Sequence, residues 1–95
     1  MNKYTFSHNG KEFTRISKAS ARKEFLQGKT VFLLPCKVRF GSPWISAFPI
    51  SGEAQKAYAI DDIGLANRFE SLVNSFEYYN CNSETGKYSA FYVEG

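Results

Sequence analysis

Apolar positions recur along this chain with two different periods, and the switches between them lay out the elements. In Thr30 to Leu34 both parities are apolar, Val31 and Leu33 on one side and Phe32 and Leu34 on the other. This pattern predicts a strand covered on both faces and lying mid-sheet. Pro35 removes a ladder donor, so the strand must end, bulge or reach an edge there. Beyond it Lys37 and Arg39 alternate with Val38 and Phe40, and a period of two places both cations on one face, about 6.6 Å apart. Gly41-Ser42-Pro43 reads as a turn, and Trp44 to Ile50 resumes an extended pattern that folds back beside Val38 and Phe40.

On the N-terminal side, Lys3 to Phe6 and Glu12 to Ile16 flank Ser7-His8-Asn9-Gly10. Asn9-Gly10 is a strong hairpin signal, because both residues tolerate positive φ. Ser17 can cap a helix that Gly28 ends, with Ala21 and Phe25, and Ala19 and Leu26, as its core stripe. After Ile50, Ser51-Gly52-Glu53 reads as a loop, and Ala54 to Ile60 fits either a short helical turn or an extended piece. Asp61 or Asp62 then offers an N-cap. From there Leu65, Phe69, Leu72 and Phe76 follow steps of four, three and four, with Ala66 and Val73 widening the stripe, which predicts an amphipathic helix over one face of the sheet. Phe76 to Cys81 and Lys87 to Val93 are rich in strand formers and are separated by the turn-like Asn82-Ser83-Glu84-Thr85-Gly86, predicting a closing hairpin. The order ββαββ, an uncertain connector, then αββ describes one α+β domain over residues 1–95, with a mainly antiparallel sheet and one or two helices packed on it.

Composition narrows the functional classes. Aromatic content of 17% in 95 residues supplies enough apolar surface for a core and argues against disorder. The opening residues lack the apolar centre of a signal peptide, and no run approaches the ~20 apolar residues of a membrane span, so a cytoplasmic location in the host cell is expected. Cys36 and Cys81, far apart in such a chain, are expected to be free thiols. Charge is distributed unevenly. Nine Lys and Arg meet two Glu through Phe40, whereas three meet seven acids from Gly41 onward, so the two halves carry +7 and −4. Basic residues gathered on one surface would attract phosphates or an acidic protein face; the alternative is a mixed, solvated surface on which the halves neutralise each other.

Catalytic chemistry has no visible centre. His8 sits in a turn, the two cysteines lack a partner base, Asp61-Asp62 suits capping, and no phosphate-binding loop or zinc spacing is present. No catalytic residue, metal or cofactor is therefore expected. Binding is better supported. Lys37 and Arg39 suit phosphate, Arg in a bidentate manner, and Trp44 or a nearby tyrosine can stack on a base. Arg22 and Lys29 can extend this patch, while Tyr78 and Asn80, in the dense amide and tyrosine run 74–82, can read a polar ligand edge. Core packing of Trp44 and solvation of the cations account for the same residues.

The phrases SKASARKEFLQGKTVFLLPCKVR and NSFEYYNCNSETGKYSAFYVE resemble stretches of small uncharacterised proteins carried by phages and other mobile elements of bacteria, over about two thirds of the chain. That family has no assigned activity. The resemblance implies a non-enzymatic binding protein that counters host defence, by sequestering a phosphate-bearing, nucleotide-like signal or by occupying a host defence protein. A small nucleic-acid-binding accessory domain using the basic half is the alternative, an enzyme acting through Cys36 is a weaker one, and homo-oligomers through exposed strand edges are plausible.

Overall fold

A computed structural model describes residues 5–38 and 47–95. The opening hairpin forms as the pattern requires. β1 (Thr5–His8) and β2 (Lys11–Ile16) pair antiparallel with His8 opposite Lys11, and the two connecting residues take positive φ, 52° at Asn9 and 77° at Gly10. Two consecutive positive φ values match the twist of the flanking strands, which is why Asn-Gly is selected here. Lys3 and Tyr4 lie outside the described residues.

Ser17 caps α1 (Lys18–Leu26), its hydroxyl accepting from the Ser20 N–H at 3.2 Å, and Gly28 leaves the helix with φ 88°. Ala21 and Phe25 are fully buried, whereas Ala19 is exposed and only Leu26 of the second predicted pair touches the core. A nine-residue helix buries a narrow stripe, and Ala19 falls outside it. β3 (Thr30–Pro35) follows, then β4 (Phe48–Ser51), antiparallel to it with Val31 opposite Ile50. Within the described residues the returning strand lies beside Thr30 to Leu33. Of its predicted span, Trp44 to Ser46 lie outside the described residues, as do Arg39 and Phe40.

Two expectations are corrected after β4. Ser51-Gly52-Glu53 is not a loop, because Ser51 ends β4 and caps the short α2 (Gly52–Lys56) by accepting from the Ala54 N–H at 3.2 Å. The ambiguous Ala54 to Ile60 is therefore helical to Lys56. More consequentially, Phe76 to Cys81 is not a strand. Asp61 caps α3 (Asp62–Asn80), which continues five residues further than expected and ends when the Cys81 N–H donates to the Glu77 carbonyl at 3.0 Å. Phe76 belongs to the helical stripe, and its burial holds the last turn against the strand preference of Tyr78 and Tyr79. The chain closes with a single strand, β5 (Ser89–Glu94), and not with a hairpin.

The order is therefore ββαββααβ, in one fully antiparallel five-stranded sheet ordered β1-β2-β5-β3-β4. The C-terminal strand occupies the centre, and β3 is interior by one place. Helices cover one face. There Phe25, Phe69 and Phe91 stack at centroid separations of 5.3 and 6.0 Å, with Val31, Leu33, Ile50, Leu65, Val73 and Phe76 around them. The other face holds a second cluster of Phe13, Leu34, Ala90 and Tyr92, against which Val38 and Ala47 pack. Both parities of β3 are thus engaged, as its doubly apolar pattern demands.

Candidate functional site: a cleft where the second strand ends

The sheet register creates a gap at one end of the molecule. The last β2–β5 pair is Ile16 with Phe91, whereas β3 follows β5 further, to Pro35 opposite Ser89. Beyond Ile16 the chain turns into α1, so among the described residues Ser89 and Ala90 have a strand neighbour on one side alone. The Cys36 N–H donates to the Tyr88 carbonyl at 2.8 Å, which points Tyr88 toward β3 and, by alternation, Ser89 toward the gap. A side chain takes the missing strand's part: the Ser89 N–H donates to Glu77 Oε2, from α3, at 2.9 Å.

What is left is an open cleft of about 880 Å³. Ile16, Ala90 and Phe91 give it an apolar lining, Arg15, Ser17 and Lys18 border it from β2 and the start of α1, and Glu77, Tyr88 and Ser89 border it from α3 and the approach to β5. The β2 and α1 border has three sources of positive potential. Arg15 is exposed and makes no ion pair among the described residues. Lys18 is paired with a carboxylate, its Nζ lying 2.9 Å from Glu70 Oε2. The N-terminus of α1 also faces this way and carries no acidic residue in its first turn, so its dipole is uncompensated by a local carboxylate. Tyr88 adds an exposed ring. A cationic border, an apolar lining and an exposed aromatic together accommodate a ligand with an anionic end and a flat apolar body.

Of the residues that the sequence singled out, two meet at this end. The Lys37 N–H donates to the Thr85 carbonyl at 2.9 Å and its Nζ to the Ser83 carbonyl at 3.2 Å, while the Asn80 carbonyl accepts from Thr85 Oγ1 at 3.3 Å. Both therefore tie down the turn that leads into Tyr88. Lys37 does not stand on an alternating strand as expected. It lies in a turn closed by the Val38 N–H donating to the Pro35 carbonyl at 2.9 Å. Tyr78 is exposed on the last turns of α3, its ring edge-on to Tyr79, which is exposed as well because neither lies on the buried helical stripe.

Arg22 and Lys29 stand apart from this group. Lys29 precedes β3 and Lys37 follows it, so about 20 Å of extended strand separates them. Lys29 is paired with Glu24 Oε2 at 3.0 Å, and Arg22 lines a shallow hollow on α1 with Lys18, Ala19 and Glu70. Arg39 and Trp44 lie outside the described residues. Sequence reasoning did not single out Arg15, Glu77, Tyr88 or Ser89, since their meeting depends on where β2 stops relative to β5. The one available signal was the Ser17 cap, which dictates that β2 ends at Ile16.

Cys36 and Cys81 are free. Burial pushes the Cys81 thiol above its ordinary value, helped by the Glu77 carboxylate and by Cys36, and opposed by the nearby Ser89 hydroxyl. Among the described residues no group of three or more His, Cys, Asp or Glu is placed to hold a metal ion, and no helix is long and apolar enough to cross a membrane.

Fold and cleft together define an α+β protein whose single antiparallel sheet is covered by helices on one face and notched at one end. No family model, curated protein or solved structure matches the chain.

Proposed function

We propose that the chain is a non-enzymatic binding protein that takes a phosphate-bearing, nucleotide-like ligand into the cleft between Ile16 and Tyr88. The observation that carries this reading is that Arg15, Lys18 and the α1 N-terminus border one cleft that also holds the exposed Tyr88 ring and an apolar lining. The cations suit phosphate oxygens, Arg15 in a bidentate manner, and Tyr88 suits stacking on a base. Lys37 and Asn80 brace the turn that presents Tyr88. In the mobile-element setting implied by the resemblance, such binding counters host defence by sequestering a nucleotide signal.

Native mass spectrometry of the protein purified from a bacterial host, followed by calorimetric titration with mononucleotides, cyclic dinucleotides and inorganic phosphate, tests this. Arg15→Glu and Tyr88→Ala are expected each to weaken binding at least tenfold with an unchanged melting temperature, since both side chains are exposed. Unaltered affinity in folded variants, or no binding by any of these ligands, overturns the assignment. Capture of a host defence protein by the same cleft, lost in Arg15→Glu, would instead make an acidic protein face the target.

A further inference from the structure

The outward face of α3 has an unusual composition for a solvated helix. Opposite the buried stripe run Ile63, Asn67, Ser71, Asn74 and Tyr78, at steps of four, four, three and four, which places them in one line. All five are exposed and none is charged, in a chain where 22% of residues are charged. The apolar ends are conspicuous: Ile63 is 74% exposed, Tyr78 80%, and Ile60, just before the helix, is wholly exposed. Depletion of charge with enrichment in tyrosine marks the centre of protein interfaces.

The order of these residues identifies the occupant. Positions equidistant from a midpoint between Glu70 and Ser71, half a residue from the centre of the helix at Ser71, match one another: Ile63 with Tyr78, and Asn67 with Asn74. An antiparallel copy of the same helix, related by a two-fold axis through that midpoint, therefore sets each isoleucine on a tyrosine and each Asn67 amide on an Asn74 amide. Amides both donate and accept, so they pair without a charged complement. Ser71, the small residue, stands at the crossing, where two helices approach to about 8–10 Å. Glu70 lies on the flank, where it would meet its own copy, but Lys18 already holds it at 2.9 Å. From these observations we infer that a second copy of this chain docks here, forming a two-fold dimer through antiparallel α3 helices. The self-complementary order is what an isologous contact requires.

The contact spans about 22 Å of helix and is smaller than a standard interface of ~800 Å² per partner, so dissociation in the micromolar range is expected. Sedimentation equilibrium from about 1 µM to 1 mM should show a monomer–dimer transition. Ser71→Arg, which puts a charge and bulk at the crossing of an exposed site, should weaken it at least tenfold while the far-ultraviolet spectrum and melting temperature of the monomer stay unchanged. Register is read separately, in a chain carrying Cys36→Ser and Cys81→Ser. A short bismaleimide should yield covalent dimers from Ile63→Cys/Tyr78→Cys and none from Ile63→Cys alone, because the two copies of position 63 lie at opposite ends. A monomer throughout the concentration range, a dimer indifferent to Ser71→Arg, or cross-linking of Ile63→Cys by itself overturns the proposal. Should the serine background fail to fold, the Ser71→Arg measurement decides alone.

Discussion

At the scale of single residues, Gly52 carries more than its size suggests. A Cβ built there would collide with the carbonyl oxygen of Phe25 and lie 2.8 Å from its carbon, because the start of α2 runs directly against the end of α1. The contact is secured by the Gly52 N–H donating to the Lys29 carbonyl at 3.0 Å and the Glu53 N–H to the Gly28 carbonyl at 3.1 Å. Gly52→Ala is therefore expected to destabilise the fold by about 3 kcal/mol, visible as a melting temperature lowered by roughly 10 °C or more. A drop of only a degree or two would mean that α2 relaxes freely. The sequence showed Ser51-Gly52-Glu53 as loop chemistry, and it was the packing of one backbone on another that required glycine. Arg15 and Tyr88 illustrate the same boundary. Each is unremarkable in its own segment, and they line one cleft only because of the gap in the sheet.

At the scale of elements, α3 is the clearest case of local pattern and tertiary packing meeting. Its start was legible, since Asp61 accepts from the Gly64 N–H at 2.8 Å as an N-cap should. Asp61→Ala is expected to cost about 1 kcal/mol, lowering the melting temperature by roughly 5 °C, and Asp61→Asn should recover most of it because the amide oxygen accepts the same bond. No difference between the alanine and asparagine variants would exclude capping as the cause. The end of α3 was not legible. Tyr78, Tyr79 and Cys81 favour strands, and nothing within the segment reports that Phe76 packs 5.8 Å from Phe48 and on the helix-side core. That helical ending decides how Glu77 meets Ser89 and where Tyr78 stands on the outer face.

At the scale of the whole molecule, the sheet shields two acidic groups from ionising. Tyr92 is pushed above its ordinary value by burial, with nearby Arg15 opposing, and Cys81 is raised as well. The folded chain then binds these two protons more tightly than the unfolded chain, so it is the unfolded state that ionises first as pH rises. Their contribution to stability is complete below the unfolded values of 9.0 and 10.0 and is lost above them. Thermal melts between pH 8 and 11 are expected to show a falling melting temperature beginning near pH 9, with the earlier part of the fall reduced in Cys81→Ala. A flat profile would show that neither group is shielded.

The sequence by itself determined the α+β class, the Asn9-Gly10 hairpin, the Ser17 cap, an aspartate cap at Asp61 or Asp62, the doubly covered β3 and the core face of α3. Each of these follows from period, capping or turn chemistry acting within a few residues. Tertiary structure alone decided that the last strand lies in the middle of the sheet, that Phe76 to Asn80 is helix, and that Arg15, Lys18, Glu77 and Tyr88 share one cleft. Those outcomes depend on strand register and on which apolar surfaces bury each other, and both join residues that are distant along the chain.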